Sequence, residues 1–130
     1  MSKTSNLAGI KIVWVEDDKF LGNMIIKKIE GTGATLIQVT DGARAFEVIK
    51  NEAPHIVLLD LLMPNVDGFD ILKQIKADAD TKNIPVLVLS NLGQKEEIER
   101  AGELGAVKFL VKAKLGLDEI VPEIEKIVGK

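Results

Sequence analysis

The 130-residue chain has no cysteine and no tyrosine, one tryptophan, one histidine and four prolines. Without cysteine there is no disulfide staple, no thiolate metal site and no cysteine nucleophile. With His55 as its single histidine, the chain has no His-rich metal centre, and a Ser-His-Asp triad would have to rest on that one side chain. No apolar run approaches the ~20 residues that span a bilayer. The start, MSKTSNLAG, is polar and lacks the apolar stretch of a signal peptide. Charge is nearly balanced, with 17 basic and 20 acidic residues and a net charge of -3. Up to position 65 there are 7 basic and 8 acidic residues, and beyond it 10 and 12, so neither half is a basic nucleic-acid patch or a charged tail. Hydrophobic residues make up 46%, which is globular rather than disordered. One soluble cytoplasmic domain is expected, and a chain of this size buries roughly 70% of its unfolded surface.

What is present is a regular alternation. Five apolar runs stand out: Ile10–Val15, Leu36–Val39, Ile56–Leu59, Pro85–Leu89 and Val107–Val111. Short runs rich in Val, Ile and Leu are what strands of a parallel sheet look like when both faces are covered. Between them lie stretches with apolar residues at helical spacing, predicting helices over about 19–30, 42–51, 68–77, 95–104 and 118–128. Gly31 and Gly33 follow the first and Gly105 the fourth, as helix terminators do. Pro122 sits early in the fifth, or marks its start. Strict βαβα alternation predicts one α/β domain with right-handed crossovers. Residues 1–8 read as a frayed tail, and 9–130 as the domain.

In an open parallel sheet, ligands bind beyond the carboxyl ends of the strands. The first run ends in Glu16, Asp17 and Asp18, the second in Thr40 and Asp41, the third in Asp60, the fourth in Ser90 and Asn91, the fifth in Lys112. Taken singly, each is an ordinary turn residue, helix cap or solvated charge, and Asp18 fits a helix cap best. Taken together they place acids, a hydroxyl and a lysine on one rim. Gathered carboxylates repel and call for a cation, and an oxygen-only donor set suits Mg²⁺. A lysine and a serine aimed at the same point would hold a phosphoryl group. The constellation predicts phosphoryl chemistry with Asp60 as the nucleophile.

The string D-L-L-M-P-N-V-D-G from Asp60 to Gly68, with V-E-D-D at Val15–Asp18, L-S at Leu89–Ser90 and V-K at Val111–Lys112, resembles the receiver domain of two-component response regulators, of the chemotaxis-regulator kind. The resemblance covers about residues 9–129. It implies a flavodoxin-like, doubly wound fold with five parallel strands in the order 2-1-3-4-5 and five helices. It implies that Asp60 accepts a phosphoryl group from a histidine kinase or phosphotransfer protein. Glu16, Asp17, Asp60 and the backbone carbonyl of Leu62 would hold Mg²⁺. Lys112 would contact the phosphoryl oxygens, and Ser90 and Phe109 would act as switch residues. Met63-Pro64 and Asp67-Gly68 would shape the loop and start the third helix. The surface of helix 4, strand 5 and helix 5 would then meet a downstream protein. Such a domain is not a conventional enzyme, binds neither nucleic acid nor membrane directly, and is a monomer or a weak phosphorylation-dependent dimer.

Four features depart from the family pattern. The usual Lys-Pro is Lys112-Ala113, where a cis bond would cost about 2.5–4 kcal/mol. The switch aromatic is Phe109 rather than tyrosine, so any inward turn rests on packing alone. Asn91 stands after Ser90 where a small residue is usual. Leu62 and Leu92 flank the expected path of the attacking water, which predicts a long-lived phosphoform.

Competing readings fare less well. A haloacid-dehalogenase-type phosphatase wants a second Asp two residues after the nucleophile, and Leu62 is there. A P-loop enzyme fails for want of G-x-x-x-x-G-K-[ST]. A dinucleotide binder fails at Leu36, where a third glycine belongs. A flavin-binding relative would not need Asp60, Lys112 and the acid pair. A pseudo-receiver acting as a pure interaction module remains, as does a receiver segment of a longer regulator, since no effector segment follows Gly129-Lys130.

Overall fold

The Val, Ile and Leu runs become strands because helices cover both of their faces. The computed structural model describes residues 7–17, 19–63, 66–90, 94–111 and 117–129, the side chains of 19–22, 62, 117 and 118 apart. Its strands are β1 (Lys11–Val15), β2 (Thr35–Val39), β3 (Ile56–Asp60), β4 (Val86–Ser90) and β5 (Lys108–Val111). They form one parallel sheet in the order β2-β1-β3-β4-β5, the expected flavodoxin-like arrangement. Central strands β3 and β4 are buried at every position, whereas the edge strands β2 and β5 are mostly half-exposed.

The helices are α1 (Lys19–Glu30), α2 (Ala45–Glu52), α3 (Gly68–Ala77), α4 (Lys95–Glu103) and α5 (Leu117–Val128). Strand alternation splits the core into two layers. Val13 and Val15 of β1 pack with Ile49 of α2, Leu72 of α3 and Ala101 of α4. Ile12 and Trp14 pack on the opposite face with Ile25 and Ile29 of α1 and Ile120 and Ile124 of α5. Each fully buried aliphatic side chain contributes about 1.5–3 kcal/mol relative to exposure, so both layers hold the sheet in place and fix its strand ends.

Helix ends follow local chemistry. The Asp67 carboxylate accepts from the Phe69 N–H at 2.8 Å and starts α3, as its place before Gly68 predicts. Gly105, at φ +104, lets the chain turn back after α4, where the Ala106 N–H donates to the Ala101 carbonyl at 2.9 Å.

Four details differ from the sequence reading. Gly42–Arg44 form a 3₁₀ turn ahead of α2, started by the Asp41 carboxylate accepting from the Ala43 N–H at 3.0 Å. Helix α5 begins at Leu117, so Pro122 lies in its second turn and removes one internal hydrogen bond rather than marking the start. Leu62–Met63 pairs antiparallel with Val66–Asp67, a contact too short to show as periodicity. Leu7, placed in the expected tail, is packed: its side chain is fully buried and its N–H donates to the Thr32 carbonyl at 3.0 Å.

Candidate functional site

Register brings the strand ends level. Val15 of β1 pairs with Leu59 of β3, so Glu16 and Asp60 emerge side by side. Asp60 pairs with Leu89 of β4, so Ser90 lies one residue further along the same rim. The Glu16 N–H extends the ladder to the Val39 carbonyl at 3.0 Å, and the Gln38 amide donates to the Glu16 carbonyl at 3.0 Å. The sheet edge thus holds the backbone of the acid pair from one side. Gln38 was missed in the sequence because its role depends on strand pairing 22 residues away.

Glu16, Asp17 and Asp60 each offer a carboxylate oxygen, and these oxygens all lie within 4.8 Å of one another. Glu16 is 1% exposed and Asp60 4%, so two of the three charges sit largely out of water. At an effective dielectric of about 20, two unit charges at that separation repel by about 3 kcal/mol. Such a group favours a hard divalent cation, and all-oxygen donors at this spacing fit Mg²⁺ or Mn²⁺ rather than softer metals. It is the one group of three or more metal-ligating side chains among the described residues.

The backbone beneath Asp60 is clamped. A Cβ on Gly68 would stand 2.5 Å from the Leu61 Cα and 3.0 Å from the Asp60 carbonyl oxygen, so glycine alone fits there. The Gly68 N–H also donates to the Leu61 carbonyl at 3.3 Å. Leu62, the next residue, pairs with Asp67. Ser90 is fully buried, level with Val111 of β5. Phe109, level with Val88, is half-buried and packs against the α2, α3 and α4 layer. Asp41 and Asp67, also acids near this rim, act as caps instead. Asp18, Asn91, Leu92, Lys112 and the Lys112-Ala113 bond lie outside the described residues.

An open parallel sheet with this strand order carries the acid cluster at its switch point, where such sheets bind ligands, and comparison with known proteins identifies the family. The sequence model of the response regulator receiver domain matches residues 12–125, and the chain belongs to that family. It is 30% identical over 116 residues to the sporulation initiation phosphotransferase F of Bacillus subtilis, covering 91% of that protein. It is 30% identical over 120 residues to the DNA-binding dual master transcriptional regulator RpaA of Synechocystis, 92% of this chain and 49% of that one. The chain spans half the length or less of several curated relatives that it matches.

Among solved structures, the BeF3-activated receiver domain of Klebsiella pneumoniae RstA superposes with a TM-score of 0.84 at 26% identity, covering 92% of this chain and 99% of that one. The Mn²⁺-bound form of response regulator Rcp1 superposes with a TM-score of 0.79 at 29% identity, covering 90% and 92%. No helix among the described residues is long and apolar enough to cross a membrane.

Proposed function

We propose that this chain is a cytoplasmic, phospho-accepting receiver whose acceptor is Asp60. The observation that carries the reading is the buried group of Glu16, Asp17 and Asp60 at adjacent strand ends. An Asp60 carboxylate oxygen attacks the phosphorus of a phosphohistidine or a small phosphodonor. The new O–P bond forms as the donor's P–N or P–O bond breaks, and the leaving atom keeps the electron pair. Asp17, Asp60 and the Leu62 carbonyl would hold Mg²⁺, with Glu16 beside them, and the bound ion would offset the phosphoryl charge.

Phosphorylation adds about -1.5 to -2 charges and three strong acceptors at one point. Lys112 is the expected partner for those oxygens, and the Ser90 hydroxyl would turn toward them. Movement of the chain after β4 would leave room for Phe109 to turn inward, changing the α4, β5 and α5 surface that a downstream protein reads. Leu62 and Leu92 are proposed to hinder the attacking water; Leu62→Asn should then shorten the phosphoform's lifetime in Mg²⁺. The greater length of several relatives supports an output supplied by a partner or by a further segment.

The test is incubation with acetyl phosphate and Mg²⁺, followed by intact-mass measurement. Wild type should gain one phosphoryl group and Asp60→Asn none. Absence of the gain at saturating donor would overturn the reading in favour of a pure interaction module.

A further inference from the structure

Helix α4 is lightly held. Of its residues Ala101 alone is buried, and its N-cap, Gln94, makes no side-chain capping bond. Ile98 stays 39% exposed. Glu97 Oε1 is shut away from solvent without a hydrogen-bond partner among the described residues, which disfavours this position of the helix.

One contact opposes that looseness. The Arg100 guanidinium lies 4.1 Å from the centroid of the Phe69 ring, well within cation–π range. Phe69 is buried and is the second residue of α3. Its N–H is fixed by Asp67, and its neighbour Gly68 is wedged against Leu61 and the Asp60 carbonyl. Three short steps therefore join the backbone of the Asp60 strand end to α4.

We propose that the Arg100–Phe69 stack is a latch that holds α4 in this position and couples it to the Asp60 strand end, by a route separate from Ser90 and Phe109. When the latch opens, Arg100 leaves the ring and reaches Glu97, three residues earlier on the same helix face, whose buried oxygen then gains a partner. A shift of the Asp60 strand end that displaces Phe69 loosens α4. By linkage, whatever binds the loosened helix shifts the Asp60 end equally. The coupling half of this inference rests on Asp60 as phosphoacceptor; the latch half does not. Arg100 is a positioning residue, acting through Phe69.

The experiment is hydrogen–deuterium exchange on the whole chain, comparing wild type with Arg100→Met, Arg100→Lys, Phe69→Leu and the Phe69→Leu/Arg100→Met double variant. Arg100→Met and Phe69→Leu should each speed exchange of the α4 amides about two- to five-fold, the equivalent of an exposed cation–π contact. The double variant should be no faster than either single one, Arg100→Lys should stay near wild type, and β3 and β4 should be unchanged. Glu97→Gln should slow α4 exchange, and no slowing would remove Glu97 from the device. Equal α4 exchange in all variants, or additive effects in the double variant, would overturn the latch. In the second arm, acetyl phosphate and Mg²⁺ are added and phosphorylation is read by intact mass. With the mass shift present, α4 exchange should rise in wild type and not in Arg100→Met. An equal rise in both would overturn the coupling. No mass shift at all would instead sink the phosphoacceptor reading, and the latch would stand or fall on the first arm.

Discussion

Gly68 and Leu61 touch backbone to backbone: a methyl group on Gly68 would stand 2.5 Å from the Leu61 Cα, a separation real side chains do not adopt. The residue that starts α3 is thereby a clamp on the strand end that carries Asp60. Gly68→Ala must push the two segments apart, because neither neighbour is a flexible side-chain tip. It should destabilise the fold by about 1–3 kcal/mol, the usual range for overpacking, and slow phosphorylation by acetyl phosphate. Urea unfolding and the intact-mass time course check both. An unchanged midpoint would show that the α3 start yields freely.

The gathered carboxylates predict an opposite effect at the acceptor itself. Asp60→Asn removes one of three neighbouring charges, each pair repelling by about 3 kcal/mol before local partners offset it. In metal-free buffer the variant should be more stable than wild type by about 1 kcal/mol or more. Wild type should gain stability with Mg²⁺ concentration, and Asp60→Asn should gain less, as linked binding requires. Thermal unfolding across a Mg²⁺ series measures it. A variant that is less stable without metal would show that the charges are already compensated within the protein.

A surface pair gives a pH signature. Lys50 Nζ lies 2.9 Å from Asp78 Oδ2. That hydrogen bond is the leading reason why Asp78 sits below its ordinary 3.8 and Lys50 above its ordinary 10.5. A lowered carboxylate stabilises above its unfolded value, and that stability is lost as pH falls through the folded one. A raised lysine stabilises below its unfolded value, and that stability is lost as pH rises through the folded one. The deficit of Asp78→Asn should therefore be constant between about pH 5 and 9. It should close in acid below 3.8 and in base above 10.5. It should also shrink in high salt. Urea midpoints across pH test this, and a deficit that persists at pH 2 would contradict it.

Trp14 is a natural reporter. It is fully buried in β1 two residues before Glu16, between Gln38 of β2 and Leu58 of β3, and its indole N–H has no partner among the described residues. Its emission should be poorly quenched by acrylamide and should change in intensity when Mg²⁺ and then a phosphoryl mimic are added. Emission indifferent to both would mean that the acid cluster and the α1/α5 layer are mechanically separate.

The sequence by itself determined a good deal. Val, Ile and Leu runs of strand length, separated by amphipathic stretches, specify a parallel sheet, because only buried strands can be apolar on both faces. Glu16, Asp17 and Asp60 fall directly after those runs, so the acid cluster was legible from position on the rim. The start of α3 was also legible, since the family resemblance assigns it to Asp67-Gly68 and the Asp67 carboxylate does cap the helix. What the tertiary structure decided are contacts between residues distant in the chain. The Gln38 support for Glu16, the hydrogen bond of Leu7 to the Thr32 carbonyl and the stacking of Arg100 on Phe69 all depend on register and helix packing. Local propensity carries no trace of them. The same holds for the 4.8 Å spacing that joins Asp60 of one strand end to the neighbouring Glu16 and Asp17 of another in one group that could hold a cation. Each acid alone is an ordinary turn residue, and only the closing of the sheet brings Asp60 within repelling distance of Glu16 and Asp17.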